Sequence, residues 1–231
     1  MDVVSVALAN LVSPPVLAFA LGLIAVAIKS DLRLPEAVYQ AISIYLLLGI
    51  GIKGGVALRE AQLGEVWLPL VVALILGVVI PLLAFGYSAV VTKLDAVNRG
   101  ALAAHYGSTS LVTFTAALVF LETSGQFVEG FMTTLLAVLE VPGIIVGLLL
   151  ASRGRAEAID WSASVREVLS GRSIVLLAGG LALGVATGAS GFASVEPFFG
   201  GLFTGVLTLF LLELGMVAGR RLRDVKQAGA G

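Results

Sequence analysis

The chain has 231 residues, of which 58% are hydrophobic and only 13% charged, and its mean hydropathy is +1.06. A soluble domain of that composition would leave far too much apolar surface in water, so the sequence belongs in a bilayer. Cysteine is absent and histidine occurs once, at His105, which excludes disulfides, thiolate metal sites, thiol catalysis and any multi-histidine metal centre.

In chain order, the N-terminal Met1-Asp2-Val3-Val4 lacks the basic start of a signal peptide. A mildly apolar lead from Val3 to Leu11 runs into Pro14-Pro15, which predicts a kink or an interfacial turn. Runs near 20 apolar residues bounded by charge or by Gly and Pro then predict seven spans. They cover residues 12–29, 36–58, 66–91, 99–121, 127–151, 172–192 and 196–218. Between the fifth and sixth lies the longest polar stretch, Ser152 to Gly171. In it Trp161, Val165, Val168 and Leu169 share one helical face, which predicts a short amphipathic helix on the membrane surface.

Basic residues orient the spans, because Lys and Arg beside a span stay preferentially in the cytoplasm. With the N-terminus outside, 12 of the 14 basic residues fall on the cytoplasmic side, and the outer link from Glu122 to Glu129 is acidic. An inner-membrane, multi-pass protein with its C-terminus in the cytoplasm is therefore expected.

The chain also matches itself. Leu47–Glu60 lies over Leu211–Asp224 without a gap, at a spacing of 164 residues; two leucines, two glycines, the Leu-Arg pair and the closing acid coincide. Five spans between the copies turn the second one upside down, as in inverted-repeat transporters. The fold expected is an all-α integral membrane protein with seven transmembrane helices, one complete five-span repeat plus the first two spans of an inverted second repeat. Adding 164 to Val66 gives 230, so the third span of the second copy is expected to begin only where the sequence stops.

Chemistry is expected where a span is interrupted, because freed backbone groups are tolerated at membrane depth only where they line a cavity or bind something. The fourth span carries His105-Tyr106-Gly107-Ser108-Thr109-Ser110 and, further on, Thr113 and Thr115. A break at Gly107 would make the amides of Ser108, Thr109 and Ser110 the open N-terminus of a half-helix, suited to a small oxyanion. Their hydroxyls add donors for an anion or acceptors for a cation. The competing role for such hydroxyls is to bond back to their own helix and let helices pack closely. The fifth span supplies an acid, Glu140, in Leu139-Glu140-Val141-Pro142-Gly143. A carboxylate at that depth normally has a partner and a purpose, and Pro142 leaves the Val138 carbonyl without a donor. Carboxylate and carbonyl are hard oxygen ligands of the kind sodium takes.

The order of a Pro-Glu turn, a second span ending Gly-Gly-Val-Ala-Leu-Arg, a fourth span with His-Tyr-Gly-Ser-Thr-Ser, a fifth with Leu-Glu-Val-Pro-Gly and a seventh with Glu-Leu-Gly-Met resembles the sodium-dependent bicarbonate transporter family. The resemblance covers essentially the whole chain and implies sodium-coupled symport of bicarbonate or a similar small anion, with sodium as the coupling ion and no other cofactor. It implies substrate-binding residues Gly107, Ser108, Thr109 and Ser110, and sodium-binding residues Ser108, Thr113 and Glu140, with no catalytic residues and no metal beyond sodium. It also implies ten spans, so that spans 8 to 10, and with them half of the core and of the site, are missing from this sequence. Residues 1–65 would form gate-domain spans 1 and 2, and 66–151 half of the core domain. Residues 152–171 would be a cytoplasmic linker, and 172–231 gate-domain spans 6 and 7 with a basic tail. The implied partners are bicarbonate or a small anion, sodium, membrane lipid, two further copies in a homotrimer and a PII-like cytoplasmic regulator, with no nucleic acid. Two other readings stand beside this one: another inverted-repeat transporter of an anion or carboxylate, and a non-transporting regulatory membrane subunit. No catalytic constellation argues for an enzyme.

Overall fold

The structure of the protein, a computed structural model, describes residues 11–152 and 161–228 together with residue 8, apart from a few side chains within helices. Arg153, Arg155, Glu157 and Asp160 of the expected linker lie outside the described residues, as does the side chain of Trp161. The elements are α1 (Pro14–Ala27), α2 (Glu36–Glu60), α3 (Leu63–Val91), α4 (Ala96–Gly107), α5 (Leu111–Thr123), α6 (Met132–Ser152), α7 (Trp161–Leu169), α8 (Arg172–Ala193), a π-helical turn (Pro197–Gly201) and α9 (Phe203–Ala228). Among the described residues there is no strand.

Among the described residues five helices, α2, α3, α6, α8 and α9, are long and apolar enough to cross a membrane, and α1 is a shorter apolar helix. The seven expected runs thus become five full-length helices, one short helix and one run divided in two. α1 is short for local reasons. Pro14 and Pro15 occupy its first positions, where a missing N–H costs nothing. Its end is fixed by Lys29, at φ 58°, whose amide bonds the Val26 carbonyl at 3.1 Å while Ser30 bonds Ala25 at 2.8 Å. That is the closing motif in which glycine is usual. α7 forms where the amphipathic face in the sequence predicts a helix, with Val165 and Val168 half-buried and Arg166 exposed. α3 turns a broad apolar surface outward, including Leu83 and Val90, as a helix facing lipid does.

The described residues divide into two units. One draws on Met1–Gly49, Thr115–Val128 and Ala193–Gly231, the other on Ile50–Phe114 and Glu129–Phe192, so α2 and α5 each contribute to both. In the first unit α1 and α9 touch backbone to backbone. A Cβ on Gly22 would overlap the Leu212 carbonyl and the Met216 amide, and one on Gly215 would overlap the Phe19 carbonyl. Beside this contact Tyr45 stacks on Phe199 with ring centroids 5.3 Å apart, meets Phe198 edge-on at 4.9 Å and donates its hydroxyl proton to the Phe198 carbonyl. Glu213 of α9 is buried and receives the Arg220 guanidinium at 3.0 Å.

In the second unit α2 and α8 touch in the same manner. A Cβ on Gly184 would overlap the Ile52 carbonyl and crowd the Val56 amide, and one on Gly55 would overlap the Leu181 carbonyl. Each contact seats a glycine over residues i and i+4 of the facing helix, and in a bilayer such close approach of small residues replaces the hydrophobic drive available in water. Gly22 and Gly184 are 162 residues apart, and Gly55 and Gly215 are 160 apart. The letter match at 164 residues thus lies one helical turn beyond the Gly55–Gly215 pair and two residues beyond the Gly22–Gly184 pair.

α8 is kinked at Gly188, where φ is 63° and ψ −167°, a region essentially confined to glycine. The carbonyls loosened by the kink are taken by Arg59 of α2, whose Nη1 donates to Val185 at 3.1 Å and to Ala186 at 3.0 Å. Kink and cap form one feature. Gly188→Ala and Arg59→Ala are each expected to cost about 1–3 kcal/mol, and the double variant clearly less than their sum, because both act on the same turn. Denaturation of the detergent-solubilised variants checks this, and full additivity would mean that Arg59 does not support the kink.

Candidate functional site

The fourth run is interrupted where its sequence is least helical. Asp95 caps the start of α4 by accepting the Asn98 amide at 2.8 Å. α4 then ends at Gly107, and α5 begins at Leu111. Glycine, then three hydroxyl residues that compete for backbone hydrogen bonds, carry the chain through the gap, with Ser108 extended at φ −95° and ψ 146°.

A ladder of small residues holds the broken end against α6. A Cβ on Gly100 would overlap Ala151, one on Gly147 would overlap Ala104, and one on Gly143 would overlap the Gly107 carbonyl. The rungs run antiparallel, 100 to 151, 104 to 147 and 107 to 143. Pro81 of α3 closes a further side, since a Cβ on Gly107 would lie 2.9 Å from its Cγ and 3.0 Å from its Cβ. Pro81 and Pro142 lie inside their helices and take the donors from the Gly77 and Val138 carbonyls. Gly77 in turn faces the Pro142 ring, with its Cβ position 3.2 Å away. The two freed carbonyls thus belong to α3 and α6, the two helices packed against the end of α4 at Gly107.

The hydroxyls of the gap differ in what they offer. The Ser108 amide closes α4 by bonding the Ala104 carbonyl at 3.2 Å, and its Oγ donates to the His105 carbonyl at 3.3 Å. Its oxygen lone pairs remain as acceptors. Ser110 caps α5: its Oγ accepts the Thr113 amide at 3.3 Å and the Thr113 hydroxyl at 3.1 Å. In that arrangement both Ser110 lone pairs are engaged and its hydroxyl proton is not used within the pair. The open amides are accordingly those of Leu111 and Val112, which have no carbonyl within their own helix to bond. This moves the open end past the position expected from the sequence, since the Ser108 amide belongs to the preceding helix. Thr109 is half-buried between the two serines, and Thr113 sits one turn into α5. His105 is exposed, with Tyr106 edge-on at 6.4 Å. Glu140 lies in α6 one turn before Gly143, and its side chain is outside the described residues.

Sequence reading assigned the polar residues of this region and missed the ladder that positions them. The signal was present in the spacing Gly100-x-x-x-Ala104-x-x-Gly107 and Gly143-x-x-x-Gly147-x-x-x-Ala151, two runs of small residues on single helix faces. Pro81 gave no comparable cue.

Comparison with known proteins agrees with the resemblance. The family model described as the Na+-dependent bicarbonate transporter superfamily matches residues 14–231, nearly the whole chain, and the chain belongs to that superfamily. Its membership is that of a transporter and not of an enzyme. No curated protein matches the chain significantly.

The ladder predicts opposite outcomes for two glycine-to-alanine changes. Gly143→Ala should cost about 1–3 kcal/mol by forcing α4 and α6 apart. Gly86→Ala in α3, where a Cβ meets nothing within 4 Å, should stabilise by about 0.5–1 kcal/mol through helix propensity alone. Melting temperatures of the two variants test the packing directly, and equal behaviour would contradict it.

Proposed function

We propose that this member of the Na+-dependent bicarbonate transporter superfamily takes part in sodium-coupled symport of bicarbonate or a similar small anion, with the α4–α5 break as its binding element. The observation that carries the reading is the division of labour between Ser108 and Ser110. Ser110 offers an outward proton beside the free amides of Leu111 and Val112, at the positive end of α5, a combination suited to an oxyanion. Ser108, with its proton already given to a carbonyl, offers lone pairs to a cation. The Val138 and Gly77 carbonyls, freed by Pro142 and Pro81, are hard oxygen ligands suited to sodium, and the sequence puts Glu140 two residues before Pro142 as a proposed third. Gly107 and Thr109 shape the anion side, and Thr113, through its bond to Ser110, links the two. A cation held beside an anion strengthens binding of both, which is the thermodynamic content of symport.

The repeat reading has support of the same kind. A two-fold exchange of two inverted copies turns a contact between the first and seventh spans into one between the sixth and second. The Gly22–Gly215 and Gly184–Gly55 contacts correspond in that crosswise manner. We extend the proposal to the seven-span, inverted-repeat layout, to a gate and core division of the spans, and to an inner-membrane protein with its N-terminus outside. Trimeric assembly and a PII-like regulator rest on family resemblance alone. Because the described residues contain one broken span, we assign them one wall of the anion site.

The test is binding of 13C-labelled bicarbonate to the purified protein, followed by NMR line broadening in sodium and in choline. Weak binding that requires sodium is expected. Ser110→Ala should weaken it roughly tenfold, as loss of a hydrogen bond to a charged partner does, whereas Ser108→Ala and Glu140→Gln should raise the sodium concentration needed. Binding indifferent to sodium contradicts coupling. Absence of broadening contradicts an anion site on this chain.

A further inference from the structure

A second polar site lies in the unit formed by α1 and α9, and it takes no part in the reading above. A pocket of about 210 Å³ opens where α1 ends, with Ala25 and Met216 among its apolar residues and Lys29, Arg33 and Arg220 among its rim residues. Three cations line it, and among the described residues the one ion pair to them is that of Glu213 with the Nη2 of Arg220 at 3.0 Å; Asp31 lies in the same turn but does not line the pocket. A guanidinium carries five donors, so that ion pair leaves most of Arg220 available. Ser30 adds another donor: its Oγ accepts the Leu32 amide at 3.1 Å, which leaves the hydroxyl proton free to point at a ligand.

Lys29 is the most informative of these residues. Among the described residues it is the one non-glycine residue with positive φ, at the position closing α1 where glycine is usual. A lysine there costs conformational energy that glycine avoids. Topology accounts for a cation beside this span, and a charged ligand in the pocket accounts for its place at the strained closing turn.

The membrane sets the depth of the site. Leu17, Leu21, Ile24 and Ile28 form an exposed apolar stripe along α1, each at least half exposed, which stops one residue before Lys29. Cations that begin where such a stripe ends lie at the level of lipid headgroups. We propose that this pocket binds the phosphodiester headgroup of an anionic phospholipid, the phosphate sitting among Lys29, Arg33 and Arg220 and tying the end of α1 to α9. The inference requires only that the chain lies in a bilayer and is independent of sodium and bicarbonate.

Native mass spectrometry of the detergent-solubilised protein, titrated with phosphatidylglycerol and with phosphatidylcholine, tests it. Phosphatidylglycerol should bind at least tenfold more tightly. Arg33→Gln and Lys29→Gly should each remove about tenfold of that preference, with phosphatidylcholine binding unchanged. Lys29→Gly separates ligand binding from folding, because its melting temperature without added lipid should equal or exceed that of the parent. Equal binding of the two lipids, or an unchanged preference in both variants, overturns the proposal. So does inorganic phosphate competing at concentrations comparable to the lipid, which would make the pocket a soluble-anion site.

Discussion

A backbone amide inside a hydrocarbon layer has no water to turn to, and this constraint explains more of the structure than any side chain does. It requires every departure from regular helix to be surrounded by groups that take up, or make use of, what the departure sets free. The kink at Gly188 meets the requirement with a cation, since Arg59 donates to both loosened carbonyls. The end of α1 meets it with a closing turn at Lys29. The α4–α5 break meets it only in part. Ser108 closes one helix and Ser110 caps the next, yet the Leu111 and Val112 amides have no carbonyl within their own helix, and Pro81 and Pro142 each take an intrahelical donor from a carbonyl.

Close packing makes the incomplete case possible. Gly143 sits on the carbonyl of Gly107, and Gly147 and Ala104 allow the two helices to approach over more than two turns. Without that ladder the gap between α4 and α5 would be reachable by lipid, and its amides would re-form a helix. Small residues do the same work at the Gly22–Gly215 contact, where the helices run on unbroken, and at the Gly55–Gly184 contact beside the Gly188 kink. A packing device used throughout the chain thus also holds the α4–α5 break, where hydroxyl residues are added.

Much of this was legible in the sequence, for reasons that separate cleanly. Composition gave the bilayer, since no soluble fold hides so much apolar surface. Hydropathy found the long helices but overstated α1, whose limits depend on Pro14, Pro15 and a backbone turn that hydropathy does not register. Gly107 followed by three hydroxyl residues marked the break, because local propensity and hydrogen-bond competition act there without help from tertiary contacts. Which amides stay open was not legible. That depends on whether Ser108 closes the preceding helix or opens the next, a choice decided by α6 and Pro81. The letter match falls at 164 residues and the packing pairs at 160 and 162, so the repeat shows in both without a single shared register. Lys29 was legible only as one more basic residue, since nothing in the sequence announces positive φ at a lysine.

The central claim is that the start of α5 is an open helix end that holds the anion. Residue-resolved amide hydrogen exchange of the protein in lipid nanodiscs tests it most directly, with and without bicarbonate in the presence of sodium. The account predicts that the Leu111 and Val112 amides exchange far faster than those of Ala103 and Ala104 in α4, and that sodium with bicarbonate slows those two amides while sodium alone does not. Slow exchange continuous from α4 through α5 without ligand would contradict the break, and fast exchange unchanged by bicarbonate and sodium together would contradict its role in binding.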